Sequence, residues 1–423
     1  MRLEIEKIRA REVLNVKGFP IIEADVITQG GVRGRSAAPV GTSTGKYEAI
    51  TLIDGGDRYF GRGVLTAVQN VNEIIAPKLK GRDVTNQRDI DMTMIKLDGT
   101  ENKSKLGGNA ILAVSLAVAR AAAASLEIPL YQYLGGMTAC ILPVPFFVTI
   151  SGGKLHRGGT NIEDYHLIPF GMKTFPEALY AIRRIYHELE QIFEKKYGKL
   201  AVNFAPDGTY VIPSIHSDRE PMDALTEAIE QAGYGKKVGF QFDVAASNFY
   251  NEEKKKYIIS GKEKPREFLI DFYKDVVSDY PIVSIEDPFD EDDFEAHAIL
   301  RKELKIQIIG DDLFASNPKR LRRGIEMGAA NAMLFKVNQI GTLSEAMDAA
   351  QLAFANDYGV VPSPRTGGLG DTWEVDMAVG LSCGQAKLGS VVGRNSNYNY
   401  LLRIGEELGG SAKFAGKDYI KTG

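Results

Sequence analysis

The sequence predicts an α/β protein, a mostly parallel and closed (β/α) barrel behind a smaller α+β unit. Three observations carry this. From LPVPFFVTI onward, short apolar runs alternate with longer amphipathic stretches. Three of those runs close on an acid, with Asp243 ending VGFQFD, Glu286 ending PIVSIE and Asp311 ending IQIIGD, and a fourth, NAMLFK, closes on Lys336. Before residue 132 or so the order differs, because strand-like runs come first and helical ones follow.

In the first unit, MRLEIEKIRAREVL and PIIEADVITQGGVRGRSAAP alternate or run apolar and read as strands, with turn signals at KGFP and QGG. The stretches TAVQNVNEIIAPKL, NQRDIDMTMIKL and GNAILAVSLAVARAAAASL carry helical spacing. The pattern changes near PLYQYLGGMTAC, so the expected division is 1–135 and 136–423. LPVPFFVTI and EDYHLIPF have no helical pattern between them, so the barrel is expected to open with a ββ pair. Helices such as FPEALYAIRRIYHELEQIFEKKY and PMDALTEAIEQAGY then alternate with strands as far as GVVPS and GQAKLG.

Composition bounds the function. A chain of 423 residues with 44% hydrophobic and 25% charged residues fits a soluble enzyme. A net charge of -4 and the lack of a basic stripe speak against nucleic acid as a partner. Two cysteines, Cys140 and Cys383, make no disulfide framework and fit a reducing compartment, hence a cytoplasmic protein. The N-terminus lacks the apolar core of a signal peptide, and the Ala-rich stretch carrying Arg120 reads as a buried helix, so no membrane partner is expected.

If the four charged run-ends lie on parallel strands of one barrel, they emerge at one rim, where barrel sites are built. Three carboxylates there suit a hard cation, and the lysine beside them is a candidate base. A lone acid after a strand is most often a helix N-cap; three in register beside a lysine argue for a site. Three Gly-rich loops, PVGTSTGKYEA, ISGGKLHRGGTN and PRTGGLGD, have the character of segments that close over a ligand. His166, His187, His216 and His297 lack ligand spacing and are expected to pack or face solvent.

With these loops beside the acid series, the chain resembles the enolase family nearly end to end. SIEDPFDEDDFEAH, IIGDDLFASNPKRL, LFKVNQIGTLSEA, LDGTENKSKLGGNAILAVSLAVARAAA and PLYQYLGG carry the likeness. The resemblance implies an α+β cap on a ββαα(βα)6 barrel, a phosphorylated or phosphonylated carboxylic acid as substrate, two Mg²⁺ per site and a homodimer or higher homo-oligomer. It implies Asp243, Glu286 and Asp311 as magnesium ligands and Lys336 as the base that takes the proton α to a carboxylate. Lys387 resembles the second lysine facing that carboxylate. Arg365 matches the phosphate-binding arginine, with Thr366 where serine is usual. Ser43 resembles the loop serine that closes on the second magnesium, and His156 the histidine of the second mobile loop. Removing such a proton creates a dianionic enediolate, which cations and lysines stabilise where the charge develops. The base must be uncharged, and Lys387 or the metal is expected to favour that state in Lys336.

Five segments depart from the pattern. The usual SHRSGETED reads SPRTGGLGD, with Pro364 replacing a histidine. DEGG reads PDGT, placing Asp207 where the acid-side glutamate stands, and QEF reads EDY, placing Asp164 where a second glutamate stands, with Glu163 as the alternative for that role. RSERxAKxNQLL reads VVGRNSNYNYLL, and LDSRGNP reads LNVKGFP. The metal acids, the base and the phosphate arginine are kept, while the changes gather on the side that handles the departing hydroxyl. The expected activity is dehydration of 2-phosphoglycerate to phosphoenolpyruvate, or the same chemistry on a related acid. An enzyme of secondary metabolism acting on a phosphonate, like carboxyphosphonoenolpyruvate synthase, is the alternative, and a non-catalytic scaffold is the third reading.

Overall fold

The computed structural model describes residues 2–41, 44–153, 159–205 and 207–422. The chain begins with an antiparallel sheet of β1 (Ile5–Leu14), β2 (Pro20–Thr28) and β3 (Arg33–Ala37) in that order. The KGFP turn joins β1 to β2: the Asn15 side chain accepts from the backbone N–H of Lys17 and Phe19, and Gly18 takes a left-handed φ of 75°. The helical expectation TAVQNVNEIIAPKL becomes α1 (Leu65–Gln69), a π-helical turn (Asn70–Ile75) and α2 (Ala76–Leu79). α3 (Gln87–Asp98) and α4 (Gly108–Ser125) follow, then the short α5 (Leu130–Gly135).

α4 lies on β2 and β3. Its alanines allow a close approach, and a β-carbon at Gly34 of β3 would lie 2.1 Å from the Ala117 carbonyl oxygen, so glycine is the residue that fits. Among the described residues α4 is the one helix long and apolar enough to cross a membrane, yet 89% of that stretch is buried inside the protein.

After a two-residue strand, β4 (Ile141–Leu142), the barrel opens with β5 (Val144–Ser151) antiparallel to β6 (Asp164–Ile168), the expected ββ pair. α6 (Phe175–Tyr197) follows; Thr174 caps it by accepting from the Glu177 N–H, and Gly198 ends it at φ 84°. A hairpin of β7 (Asn203–Phe204) and β8 (Tyr210–Val211) precedes α7 (Arg219–Gln231). β9 (Gly239–Asp243) starts the regular alternation, interrupted by a small sheet of β10 (Tyr250–Asn251), β11 (Lys256–Ile259) and β12 (Lys262–Lys264). Then come α8 (Arg266–Asp279), β13 (Ile282–Glu286), α9 (Phe294–Glu303), β14 (Gln307–Gly310), α10 (Pro318–Met327) and β15 (Ala332–Phe335). The one-turn α11 (Val337–Ile340), α12 (Leu343–Ala355), β16 (Gly359–Pro362), α13 (Trp373–Gly380), β17 (Gln385–Lys387) and α14 (Asn395–Leu408) complete it.

The strands run β16-β15-β14-β13-β9-β6-β5, with β17 pairing to β5 and lying beside β16, which brings the ring round on itself. From β9 onward neighbours are parallel. β9 is buried throughout, as a strand covered by helices outside and side chains inside must be. The first unit is fastened over the C-terminal rim. Asp91 of α3 accepts from both the N–H and the hydroxyl of Ser344, Ala49 N–H donates to the Gln339 carbonyl, and Trp373 Nε1 donates to Ser36 Oγ at 2.9 Å.

Candidate active site

Asp243 and Glu286 are the last residues of two adjacent parallel strands and sit in register. Asp311 and Lys336 each stand one residue beyond β14 and β15, so all four emerge at one rim, as the sequence predicts. Two non-glycine residues with left-handed backbone follow the acids closely, Ala245 at φ 46° and Asp287 at φ 41°. Such strain persists only where surrounding contacts hold it. The contacts here are specific: the Asp287 carboxylate accepts from the backbone N–H of Asp311 at 2.9 Å and of Asp312 at 2.7 Å, which fixes the turn carrying Asp311.

A cavity of about 110 Å³ opens at this rim. It brings together Glu163, Asp164, Asp207, Asp243, Asp311, Lys336, Arg365, Thr366 and Lys387. Glu286 lies beneath them, fully buried. Ser43 and His156 lie outside the described residues.

Lys387 Nζ donates to Asp243 Oδ2 at 2.7 Å and lies 3.0 Å from both oxygens of Glu286. Burial disfavours its charged form, but Asp243, Glu286 and Asp164 together hold the ammonium well above the ordinary lysine value. Burial and the neighbouring Asp243 push Glu286 up. Lys336 Nζ donates to Asp311 Oδ2. Burial alone would raise the Asp311 carboxyl, yet the Lys336 ammonium more than offsets it and holds the carboxyl below its usual range. Burial and the nearby Arg365 and Lys387 disfavour a charged Lys336, as expected of Lys387, but Asp311, one of the carboxylates a bound cation would share, outweighs them and the Lys336 pKa is raised.

The donor set fits a divalent cation. Asp243, Glu286 and Asp311 offer hard carboxylate oxygens at one rim, all three buried, and two ammonium groups already partly balance them. Asp287, Asp311 and Asp312 also gather within 4.8 Å, but Asp287 is committed to the two backbone N–H groups.

The acid side sorts the remaining carboxylates. Both Glu163 and Asp164 line the cavity. Asp164 pairs in register with Asp243, and its Oδ1 accepts from Ser151 Oγ at 2.5 Å. Burial, then Asp243 and Asp164, push the Glu163 carboxyl well above its ordinary range, and Asn248 Nδ2 donates to its Oε2 at 3.0 Å. Asp207 Oδ1 accepts from its own turn, from Thr209 Oγ1 at 2.9 Å and Thr209 N–H at 3.3 Å.

Arg365 is buried and pairs with Glu48 of the first unit at 3.0 Å. Asp371, close to Arg365 in sequence, lies 3.4 Å from Arg120. Sequence reasoning missed Glu48, which is 317 positions away and announced by no motif. It also missed Gln339, whose Nε2 donates to Asp311 Oδ1 at 2.8 Å, and Gln241, whose Nε2 donates to Glu286 Oε2 at 2.9 Å. Gln241 had a signal, since it is a polar residue two places before Asp243 in an otherwise apolar strand. As expected, His166 and His297 are buried and His216 is exposed. Burial raises the Cys383 thiol far above its ordinary value, which makes it inert.

Comparison with known proteins agrees with this geometry. The family profile "Enolase, N-terminal domain" matches residues 5–134, and "Enolase, C-terminal TIM barrel domain" matches residues 139–423. The enolase of Pyrococcus furiosus is 53% identical over 99% of this chain and 98% of its own length. The enolase of Methanopyrus kandleri is 53% identical over 97% of each, and that of Methanocaldococcus jannaschii 51% identical over 99% and 98%. The chain belongs to the enolase family.

Proposed function

We propose that this chain is a magnesium-dependent phosphopyruvate hydratase, removing water from 2-phosphoglycerate to give phosphoenolpyruvate. Three buried carboxylates flanked by Lys336 and Lys387, in one cavity with Arg365, are the observation that carries the reading. Full-length similarity to proteins named enolase supports the substrate class. On the same family grounds we assign two Mg²⁺ per site, a cytoplasmic homo-oligomer and a division near residue 135.

Asp243, Glu286 and Asp311 are the residues that would hold a divalent cation, with Ser43 assigned to a second. When bound, the cation supplies positive charge at the developing enediolate and competes with the two ammonium groups for the carboxylates. Lys336 takes the proton from the carbon α to the carboxylate, for which it must first lose its own. Lys387, kept charged by its anionic neighbours, faces the substrate carboxylate. Arg365, oriented by Glu48, holds the phosphate, with Thr366 beside it, and on family grounds His156 is assigned to the same substrate. Glu163 carries the proton to the departing hydroxyl, because burial raises its pKa above that of an exposed carboxyl and so favours the protonated form. Asp164 lies beside it, while Asp207 is occupied in its turn. Following enol-phosphate absorbance with 2-phosphoglycerate and Mg²⁺ tests the reading. Absence of turnover in folded, metal-loaded protein rejects it.

A further inference from the structure

Four of the five segments that depart from the family pattern are far apart in sequence and meet in space. The β1–β2 turn brings Val16 and Lys17; the turn after β7 brings Asp207; the loop after β16 brings Thr366 and Gly370; and the segment before α14 brings Gly393 and Arg394. Together these seven residues enclose a lobe of about 70 Å³, which shares Asp207, Thr366 and Arg394 with the main cavity. The lobe has room for more than one water-sized group.

Contacts between these segments hold its walls. Asn15 Nδ2 donates to the Gly367 carbonyl and Val16 N–H to the Gly368 carbonyl, docking the β1–β2 turn onto the barrel loop. A β-carbon at Gly393 would lie 2.0 Å from the Asp207 carbonyl oxygen. The departures at 207 and 393 are therefore coupled, since the Asp207 turn occupies the space a side chain at 393 would need. Thr209 then turns the Asp207 carboxylate back into its own loop. Arg394 is 8% exposed, and its Nη2 donates to the Arg365 carbonyl at 2.6 Å. Lys17 stands exposed at the mouth, with Asp207, Arg394 and Arg62 as its charged neighbours. Two cations and one carboxylate already bonded elsewhere line the lobe, which suits an anionic group.

We infer that this lobe is an anion subsite for a carboxylate on the hydroxyl-bearing carbon, so that the enzyme accepts 2-phospho-3-hydroxy dicarboxylic acids besides the three-carbon acid. The inference rests on the elimination chemistry proposed above. The reaction balances without a co-reactant. The C2–H bond breaks as the base takes the proton, its electron pair forms C2=C3, and the C3–O bond breaks as hydroxide leaves with an enzyme proton as water. The product is an enol-phosphate dicarboxylate.

Two ligands that cannot eliminate test the lobe directly. 2-Phosphopropanoate and 2-phosphobutanedioate differ only in a carboxylate on the third carbon. Calorimetry with Mg²⁺ should show the dicarboxylate binding about tenfold more tightly to the wild type, with that advantage lost in Lys17→Met. Equal or weaker binding of the dicarboxylate by wild type, or an advantage that survives Lys17→Met, overturns the inference. The two proposals fail separately. Turnover of 2-phosphoglycerate without ligand discrimination removes the lobe alone, and discrimination without turnover removes the hydratase reading.

Discussion

Lys387 Nζ lies 3.0 Å from both carboxylate oxygens of Glu286, a residue with no solvent exposure. One buried charge thus answers another at the floor of the cavity, with Asp243 as the second anchor of the same ammonium. Removing one partner of such a pair strands the other, a loss of about 3–5 kcal/mol. Lys387→Met should therefore lower stability as well as activity, and denaturant unfolding would show the first separately from kinetics.

Lys336→Ala should cut kcat for 2-phosphoglycerate by about 10²–10⁴-fold, the usual weight of a general base. Stopped-flow or steady-state enol-phosphate absorbance measures this. Turnover that survives the change assigns proton abstraction to another group.

Glu163→Gln should cost more in kcat than Asp207→Asn. The first removes a carboxyl whose pKa burial raises; the second alters a carboxylate already bonded to Thr209. In wild type, kcat should also fall as pH rises through the raised Glu163 pKa, because the acid loses its proton there. The reverse order of the two variants would return the acid role to Asp207.

Divalent metal should raise thermal stability as well as activate. A ligand at about 100 times its Kd adds roughly 2.7 kcal/mol to the folded state. Mg²⁺ should thus shift the melting temperature of wild type, and Glu286→Gln should blunt that shift. Equal shifts in both proteins would place the cation elsewhere.

Asp376, on α13 and away from the cavity, is pushed up to about 7 from 3.8 by burial, although Tyr400 donates to its Oδ1 at 2.9 Å. Between those values the folded state holds a proton that the unfolded chain has lost. Stability should then decline as pH rises from 3.8 to about 7, by up to roughly 1.4 kcal/mol per pH unit. Asp376→Asn should flatten that decline in melting curves recorded across the window.

The barrel's parallel alternation, its opening ββ pair and the shared rim of Asp243, Glu286, Asp311 and Lys336 were legible because strand periodicity and strand–helix alternation are local patterns. Three things in the site were not legible. The Glu48–Arg365 pair joins residues with no common motif. The direction of the Lys336 shift depends on how burial, Asp311, Arg365 and Lys387 balance in space, and sequence gives only which groups are present. The partners that distinguish Glu163, Asp164 and Asp207, namely Asn248, Ser151 and Thr209, are announced by no motif.

By itself, then, the chain's order of residues determined the barrel, the family and the set of charged groups at the rim. Tertiary structure alone decided how those charges divide protons among themselves, and how four distant segments close into one cationic lobe. The reason is physical. Backbone pattern is set by neighbours along the chain, whereas burial and Coulomb interaction are set by neighbours in space.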